Sequence, residues 1–452
     1  MQIDATRGSI GETMGKFALP YLFSYFLQTL YGMADLFIIG QFEGAASITA
    51  VSIGSQVMHM VTVMLVGLAM GTTVSIAQAV GGGKREQTAW ITGNTVTFFL
   101  GSSMVLVAGL TFLVHPLAAL MHTPVEAVPG TVEYLTLCFL GIPFITAYNI
   151  ISAIFRGLGN SRSPMVFIAI ACAANILLDC LFMGVFHMGP AGAALGTTLS
   201  QAISVAISLF MIRRYRLGIT LAREQLRPRW EVIRKLLRIG VPIALQDGFI
   251  QVAFLVITVI ANERGITDAA AVGIVEKIIS FIFLVPSSLL STVSALGAQN
   301  IGAHQPERAR AILETALKTA LGFGVLMILL MQPAAPAFVG TFTSDSAVIS
   351  AGAPYLRGYI VDVLFAGVHF SFSGYFCAWG RSEFSFIHNV ISIVLARIPL
   401  VYAASKAFPY TLLPMGLATA CGSPGSVLIC MGLFRKLRRK TPAPCYNRIH
   451  SQ

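Results

Sequence analysis

The chain has 452 residues, of which 56% are apolar or aromatic and 11% carry charge. Soluble domains carry about 45–50% apolar and roughly 25% charged residues, so the composition excludes a soluble enzyme, a disordered chain and a disulfide scaffold and leaves a polytopic membrane protein. The formal charge of +11 reads as basic loops that orient a membrane protein, not as a nucleic-acid footprint.

Twelve apolar runs reach the roughly 20 residues that a helical span needs. In the first half they start near Phe17, Ser47, Trp90, Thr131, Pro164 and Ala191. In the second half they start near Leu236, Ala269, Leu313, Ala353, Phe384 and Thr411. The runs are continuous rather than alternating, which predicts helices and not a β-barrel. The first run, Phe17 to Ile39, is too long for a signal-peptide core and contains Asp35, so it is expected to remain as a span. The cysteines are Cys138, Cys172, Cys180, Cys377, Cys421, Cys430 and Cys445. Six lie in apolar runs and none forms a Cys-x-x-Cys pair, so buried, reduced thiols are expected rather than a metal or redox site.

Twenty-five of the thirty lysines and arginines fall in the N-terminus, the even-numbered loops and the C-terminal tail. The odd-numbered loops hold Arg264, Arg357 and Lys406, while Lys277 and Arg397 fall inside spans. This asymmetry places both termini in the cytoplasm. The longest polar stretch, Arg213 to Arg238, holds nine of the basic residues. It divides the chain into an N-lobe (1–220) and a C-lobe (221–440), followed by a short tail (441–452) to which no role is assigned.

The halves are related. Ala77-Gln78 and Gly81 at the end of span 2 match Ala298-Gln299 and Gly302 at the end of span 8, at an offset of 221. The same offset relates Ala50-Val51 to Ala271-Val272 and Gly159-Asn160-Ser161 to Gly380-Arg381-Ser382, and Pro20 meets Pro242 at 222. The expected architecture is all-α, with twelve transmembrane helices in two pseudo-symmetric six-helix lobes whose axis lies along the membrane normal. Two such bundles meeting at a central cleft form an alternating-access machine.

Ionisable groups at membrane depth mark pathways, because each is costly there. The acids are Asp35, Asp179, Asp247, Glu276 and Asp362. Asn175 and Asp179 are spaced i, i+4 and share a helix face. With Asp35 and a hydroxyl from Thr197 or Thr198 they form a hard-oxygen set that can hold a small cation or share a proton. Asp247 is expected to line the cleft, Asp362 to lie near the outer end of span 10, and Glu276 and Lys277 to point about 100° apart. Arg397 requires an anionic partner, with Asp362 and Glu276 as candidates. A structural ion pair and a transport role both remain open for this group. Pro20 and Pro242 read either as bends or as first-turn prolines. Gly67-x-x-x-Gly71 and Gly192-x-x-x-Gly196 read as close-packing motifs, and His59, His369 and His388 as hydrogen-bonded packing residues. His-Glu-x-x-His, Gly-x-Ser-x-Gly and Walker A sequences are absent, so no enzyme is expected. No soluble segment is large enough for a nucleotide domain, so the energy source is an ion gradient.

From Gly15 to Phe434 the chain resembles the multidrug and toxic compound extrusion (MATE) family. The resemblance rests on Pro20, Tyr31-Gly32-Met33-Ala34-Asp35, Ala77-Gln78, Arg156-Gly157-Leu158-Gly159-Asn160, Asn175 to Asp179, and Ala298-Gln299-Asn300-Ile301-Gly302. It is similar to the prokaryotic branch named for DNA-damage-inducible members. The resemblance implies a multi-pass protein of a prokaryotic plasma membrane that exports organic cations or other drugs by rocking its lobes, in exchange for Na⁺ or H⁺. It implies no cofactor beyond that ion, no nucleic-acid partner, contact with lipid, and a monomer. The family's N-lobe cation site, for Na⁺ or a proton, carries over to Asp35, Asn175 and Asp179, with Thr197 and Tyr31 beside them and Pro20 as the bending proline of span 1. In the C-lobe, Asp247, Glu276, Asp362 and Arg397 are candidate substrate or ion contacts, although Ala378-Trp379-Gly380 departs there from the family's Arg-Gly pattern. The alternatives are a lipid-linked saccharide flippase of the same superfamily and a non-transporting membrane receptor or scaffold.

Overall fold

The computed structural model describes residues 3–215 and 222–440. The lobe boundary expected at 220/221, the tail 441–452 and Cys445 lie outside the described residues. Within them the protein is helical throughout. The spans are Ile10–Phe42, Ala45–Gly81, Arg85–Phe112, Arg162–Val185 and Gly189–Arg214 in the N-lobe, and Trp230–Asn262, Ile266–Gly302, Pro306–Gly340, Ser382–Ala407 and Leu413–Arg439 in the C-lobe. Two bent pairs complete twelve: Val125–Leu140 with Ile142–Gly157 at 48° forms span 4, and Ser346–Tyr359 with Asp362–Ala378 at 42° forms span 10. Eleven of the expected starts fall inside these spans, and Thr411 lies two residues ahead of the span that begins at Leu413.

The structure corrects several details of the sequence reading. Span 10 begins at Ser346, seven residues ahead of the expected start, in the helix Ser346–Tyr359 that the Asp345 side chain caps. Arg357 therefore lies inside the span, and Asp362 sits at its mid-span break rather than near its outer end. Pro20 and Pro242 are well inside continuous helices, which removes the first-turn alternative. Cys180 and Cys421 are exposed rather than buried, while Cys138, Cys172, Cys377 and Cys430 are buried.

The repeated segments converge where the lobes meet. A Cβ on Gly81 would lie 1.8 Å from the Gln299 carbonyl oxygen, and one on Gly302 would lie 2.0 Å from that of Gln78. The contact is reciprocal under the offset of 221, so spans 2 and 8 cross on the pseudo-axis. Between helices in a membrane, such close backbone approach supplies packing that the hydrophobic effect cannot. Gly71 against Leu236 and Gly240 against Leu68 repeat the device between spans 2 and 7. Met70, Val74, Ile239, Ile243, Ala298 and Cys377 fill the space around the crossing. The Gln78 amide donates to the Ala378 carbonyl at 2.9 Å and its oxygen accepts from Lys235 Nζ at 3.0 Å.

The N-terminal residues strap this seam from outside. Ile3 N donates to the Gly159 carbonyl at 3.0 Å, on the N-lobe. The Ala5 carbonyl accepts from Asn300 Nδ2 at 3.1 Å and Arg308 Nε at 2.8 Å, both on the C-lobe. Gly159 has φ +84°, and a Cβ there would lie 2.5 Å from the Ile3 carbonyl oxygen. Residues 222–229, the described start of the second half, are pinned to span 3, where Asn94 Oδ1 accepts from Arg229 N at 2.6 Å and Thr97 donates to the Leu226 carbonyl at 2.7 Å. Among the described residues, every hydrogen bond between the lobes lies in the half of the molecule that carries the termini. Toward the opposite end no hydrogen bond joins the lobes among the described residues.

Because the crossing tolerates no side chain, Gly81→Ala should destabilise this closed end by about 1–3 kcal/mol. Spin labels at positions 84 and 304 should then report a longer interlobe distance than in the wild type, and an unchanged distribution would contradict the packing account.

Candidate functional site

The sequence-predicted N-lobe group comes together. Asp35 on span 1, Asn175 and Asp179 on span 5 and Thr197 on span 6 converge in the lobe interior, and Asp35 is 2% exposed and Asp179 0%. Thr197 Oγ1 donates to Asp35 Oδ2 at 3.0 Å. Thr198 turns away and donates instead to the Leu137 carbonyl at 3.4 Å. The Tyr31 hydroxyl donates to the Thr197 carbonyl at 3.0 Å and pairs with Ser200 at 3.2 Å, so it braces span 6 rather than touching a carboxylate. Beyond the group itself, Asp35 Oδ1, both oxygens of Asp179 and both polar atoms of Asn175 have no hydrogen-bond partner. Within it, the Asp35 and Asp179 carboxyl groups lie within hydrogen-bonding reach of each other and of Asn175. Buried polar atoms are rarely left unpaired, and each unpaired group asks for an explanation. Two carboxyl groups and an amide that reach one another and no other partner but Thr197 fit a small hard cation or a shared proton.

Two local features position Asp179. A Cβ on Gly196 would lie 1.9 Å from Asp179 Oδ1, so this glycine makes room for the carboxylate. The sequence by itself reads Gly192-x-x-x-Gly196 as packing alone. The signal it offers is the place of Gly196 on the same helix as Thr197. Just after Asp179 the helix widens into a π-helical turn, Cys180–Val185, a feature frequent at functional sites.

The C-lobe has no copy of this site among the described residues. The offset of 222 pairs Asp35 with Ile257 and Asp179 with Val401, and the offset of 221 pairs them with Val256 and Leu400. Either way, aliphatic residues replace both acids, and Ile257 and Val401 belong to the C-lobe core. Glu276, Asp362 and Arg397 do gather elsewhere in that lobe. Arg397 donates to the Tyr359 hydroxyl and lies 5.3 Å from the centre of the Phe254 ring. Neither acid comes within ion-pair distance of it, although both act on it electrostatically. Thr258 donates to Glu276 Oε2 at 3.4 Å. The guanidinium thus supplies an internal positive charge in front of the two acids, and its direct partner is a tyrosine rather than the expected carboxylate. His388 bonds Ser373 at 2.9 Å and Ser426 at 3.3 Å, and His369 bonds Ser423 at 3.4 Å.

Asp247 stands apart from that cluster. It lies on span 7 against span 2, where a Cβ on Gly67 would meet its Oδ2 at 2.9 Å. It makes no hydrogen bond among the described residues. Lys277 and His59 are exposed on the interlobe faces of spans 8 and 2. The sequence by itself assigns neither to the site, because a lysine in one lobe and a histidine in the other carry no shared motif.

Two tandem six-helix lobes, a glycine-packed seam and buried unpaired carboxylates define a polytopic α-helical protein of the transporter type. The MatE family matches residues 20–181 and 242–403, once per lobe, and the chain belongs to this family. The probable multidrug resistance protein YpnP of Bacillus subtilis is 28% identical over 397 residues, covering 88% of each chain. The FAD transporter of Shewanella oneidensis is 26% identical over 433 residues, covering 90% of this chain and 93% of its own. The fold is shared with a MATE crystal structure solved in complex with MaL6, at a TM-score of 0.89 and 20% identity, covering 97% of this chain and 99% of that one.

If Gly196 serves the carboxylate, Gly196→Ala should remove cation-dependent thermal stabilisation as fully as Asp179→Asn does. Gly192→Ala, whose Cβ meets only side-chain carbons at 3.1–3.2 Å, should retain it. Melting curves recorded with and without Na⁺ at several pH values separate these outcomes, and equal loss in both glycine variants would reduce Gly196 to a packing residue.

Proposed function

We propose that the protein is a secondary active multidrug efflux antiporter of a prokaryotic plasma membrane. On this reading it exports organic compounds in exchange for H⁺ or Na⁺, its lobes rock so that the seam at the Gly81–Gly302 crossing closes and opens, and it catalyses no covalent chemistry. The printed name of the Bacillus relative supports drug export. The observation that carries the coupling is the pair of buried carboxyl groups, Asp35 and Asp179, within reach of each other and with three of their four oxygens unpartnered outside their own group.

Two carboxylates in one low-dielectric site cannot both stay ionised without a counter-charge. A proton or a Na⁺ ion meets that need, held by Asp35 and Asp179 with the Asn175 amide oxygen and the Thr197 hydroxyl beside them. A cationic substrate competes for the same negative charge, which couples its release to ion entry. Each ligand moves the lobes only by its difference in affinity between the two states. With both termini cytoplasmic, as the basic loops imply, the conformation described is closed inside and open outside. Pro20 leaves a carbonyl of span 1 without its helical partner, which gives the helix carrying Asp35 a place to flex. In the C-lobe, Arg397 offsets part of the charge of Glu276 and Asp362 and no second carboxyl pair is present among the described residues, so ion coupling is assigned to the N-lobe. A lipid-linked saccharide flippase fits less well, because Arg397 is engaged by Tyr359 and the cleft is not strongly basic.

Asp35→Asn should abolish gradient-driven ethidium efflux from inverted vesicles while leaving the protein folded in the membrane. Imposing Na⁺ and pH gradients separately names the ion. Full efflux in that variant would refute the coupling.

A further inference from the structure

The central cleft holds charges of both signs that the carboxylate site does not use. Lys277 lies on span 8 and is exposed, with no ion pair or hydrogen bond among the described residues. Its neighbour Glu276 turns the other way, toward Thr258 of span 7. One helical turn on from Lys277, on the same face, Phe281 meets Phe26 of span 1 across the lobe boundary, with ring centroids 6.4 Å apart. That contact fixes the direction of the face: Lys277 looks from the C-lobe toward the N-lobe. One turn before it, Gly273 has open space around it. On the facing wall, His59 of span 2 is exposed and within electrostatic range of Lys277. Asp247 lies deeper, where span 7 meets Gly67 of span 2.

A lysine inside a membrane span that is neither paired nor snorkelling from a helix end is costly and marks a ligand path. Arg397, Asp35 and Asp179 all have their own settings within the lobes, so none of them accounts for Lys277. Phe26 and Phe281 supply an apolar surface beside it, which suits a planar or greasy body. We infer that the cleft accepts amphiphiles bearing an acidic group, with Lys277 as the residue that recognises the acid, assisted by His59, and Asp247 available to an amine at the other end of the molecule. This extends the proposed function by naming the residue that selects for an acidic group on the substrate, and it rests on the cleft being the substrate site.

Rhodamine 110 and its methyl ester rhodamine 123 test the inference, since they differ only in whether the carboxylate is free. Fluorescence anisotropy on purified protein in nanodiscs measures binding with no gradient, so it can fail or succeed independently of the efflux experiment. The wild type should bind rhodamine 110 at least as tightly as rhodamine 123. Lys277→Gln should weaken rhodamine 110 about tenfold and leave rhodamine 123 unchanged, and Lys277→Arg should restore the acid. The exposed position of Lys277 makes these variants benign to the fold, which size-exclusion profiles check. Binding of the ester alone by the wild type, or an equal loss of both dyes in Lys277→Gln, would overturn the assignment.

Discussion

The constraint on which the rest depends is the cost of charge at membrane depth. A carboxylate removed from water costs several kcal/mol unless a counter-charge or hydrogen bonds replace the solvent. The N-lobe places two of them together and withholds most of those bonds. One Asp35 oxygen has Thr197, and the other three carboxylate oxygens of the pair have no hydrogen-bond partner beyond each other and Asn175. A site so arranged is unfinished without a proton or a cation. The C-lobe resolves the same constraint differently. Aliphatic residues stand where its acids would be, and an arginine supplies positive charge beside Glu276 and Asp362. The pseudo-symmetry of the backbone thus coexists with an asymmetry of charge, and that asymmetry gives the two lobes different tasks.

The second constraint is steric. Two lobes can rock only if their seam is tight enough to close and simple enough to open. Gly81 and Gly302 meet the partner backbones with no room for a methyl group, and the bonds around them are few and mostly between amides and carbonyls. The N-terminal strap adds contacts to Asn300 and Arg308 from one side and Gly159 from the other. Separation of the lobes at this end requires it to let go of one of them, so the strap weights the closed form.

Much of this is legible in the sequence, for physical reasons. Continuous apolar runs report spans because a bilayer demands them, and the i, i+4 spacing of Asn175 and Asp179 reports a shared face because a helix imposes it. The repeat at 221 is visible as well. What it does not show is that the repeated glycines touch each other, since a contact across a pseudo-axis leaves no trace in either half alone. Gly196 resembles generic packing because the carboxylate that needs its missing side chain lies on another span. Asp362 is misplaced by the sequence because the span starts earlier than Ala353, at Ser346, and bends just before Asp362. Lys277 and His59 belong to different lobes, and only the folded chain brings them near one cleft.

The account stands on the N-lobe pair holding one exchangeable positive charge. The most direct measurement is proton release into lightly buffered solution when Na⁺ or a cationic substrate is added to the purified protein. The account predicts close to one proton released per protein over some range of pH, and none from Asp35→Asn. Equal release from the wild type and Asp35→Asn, or none from the wild type at any pH with a cation shown to bind, would contradict it.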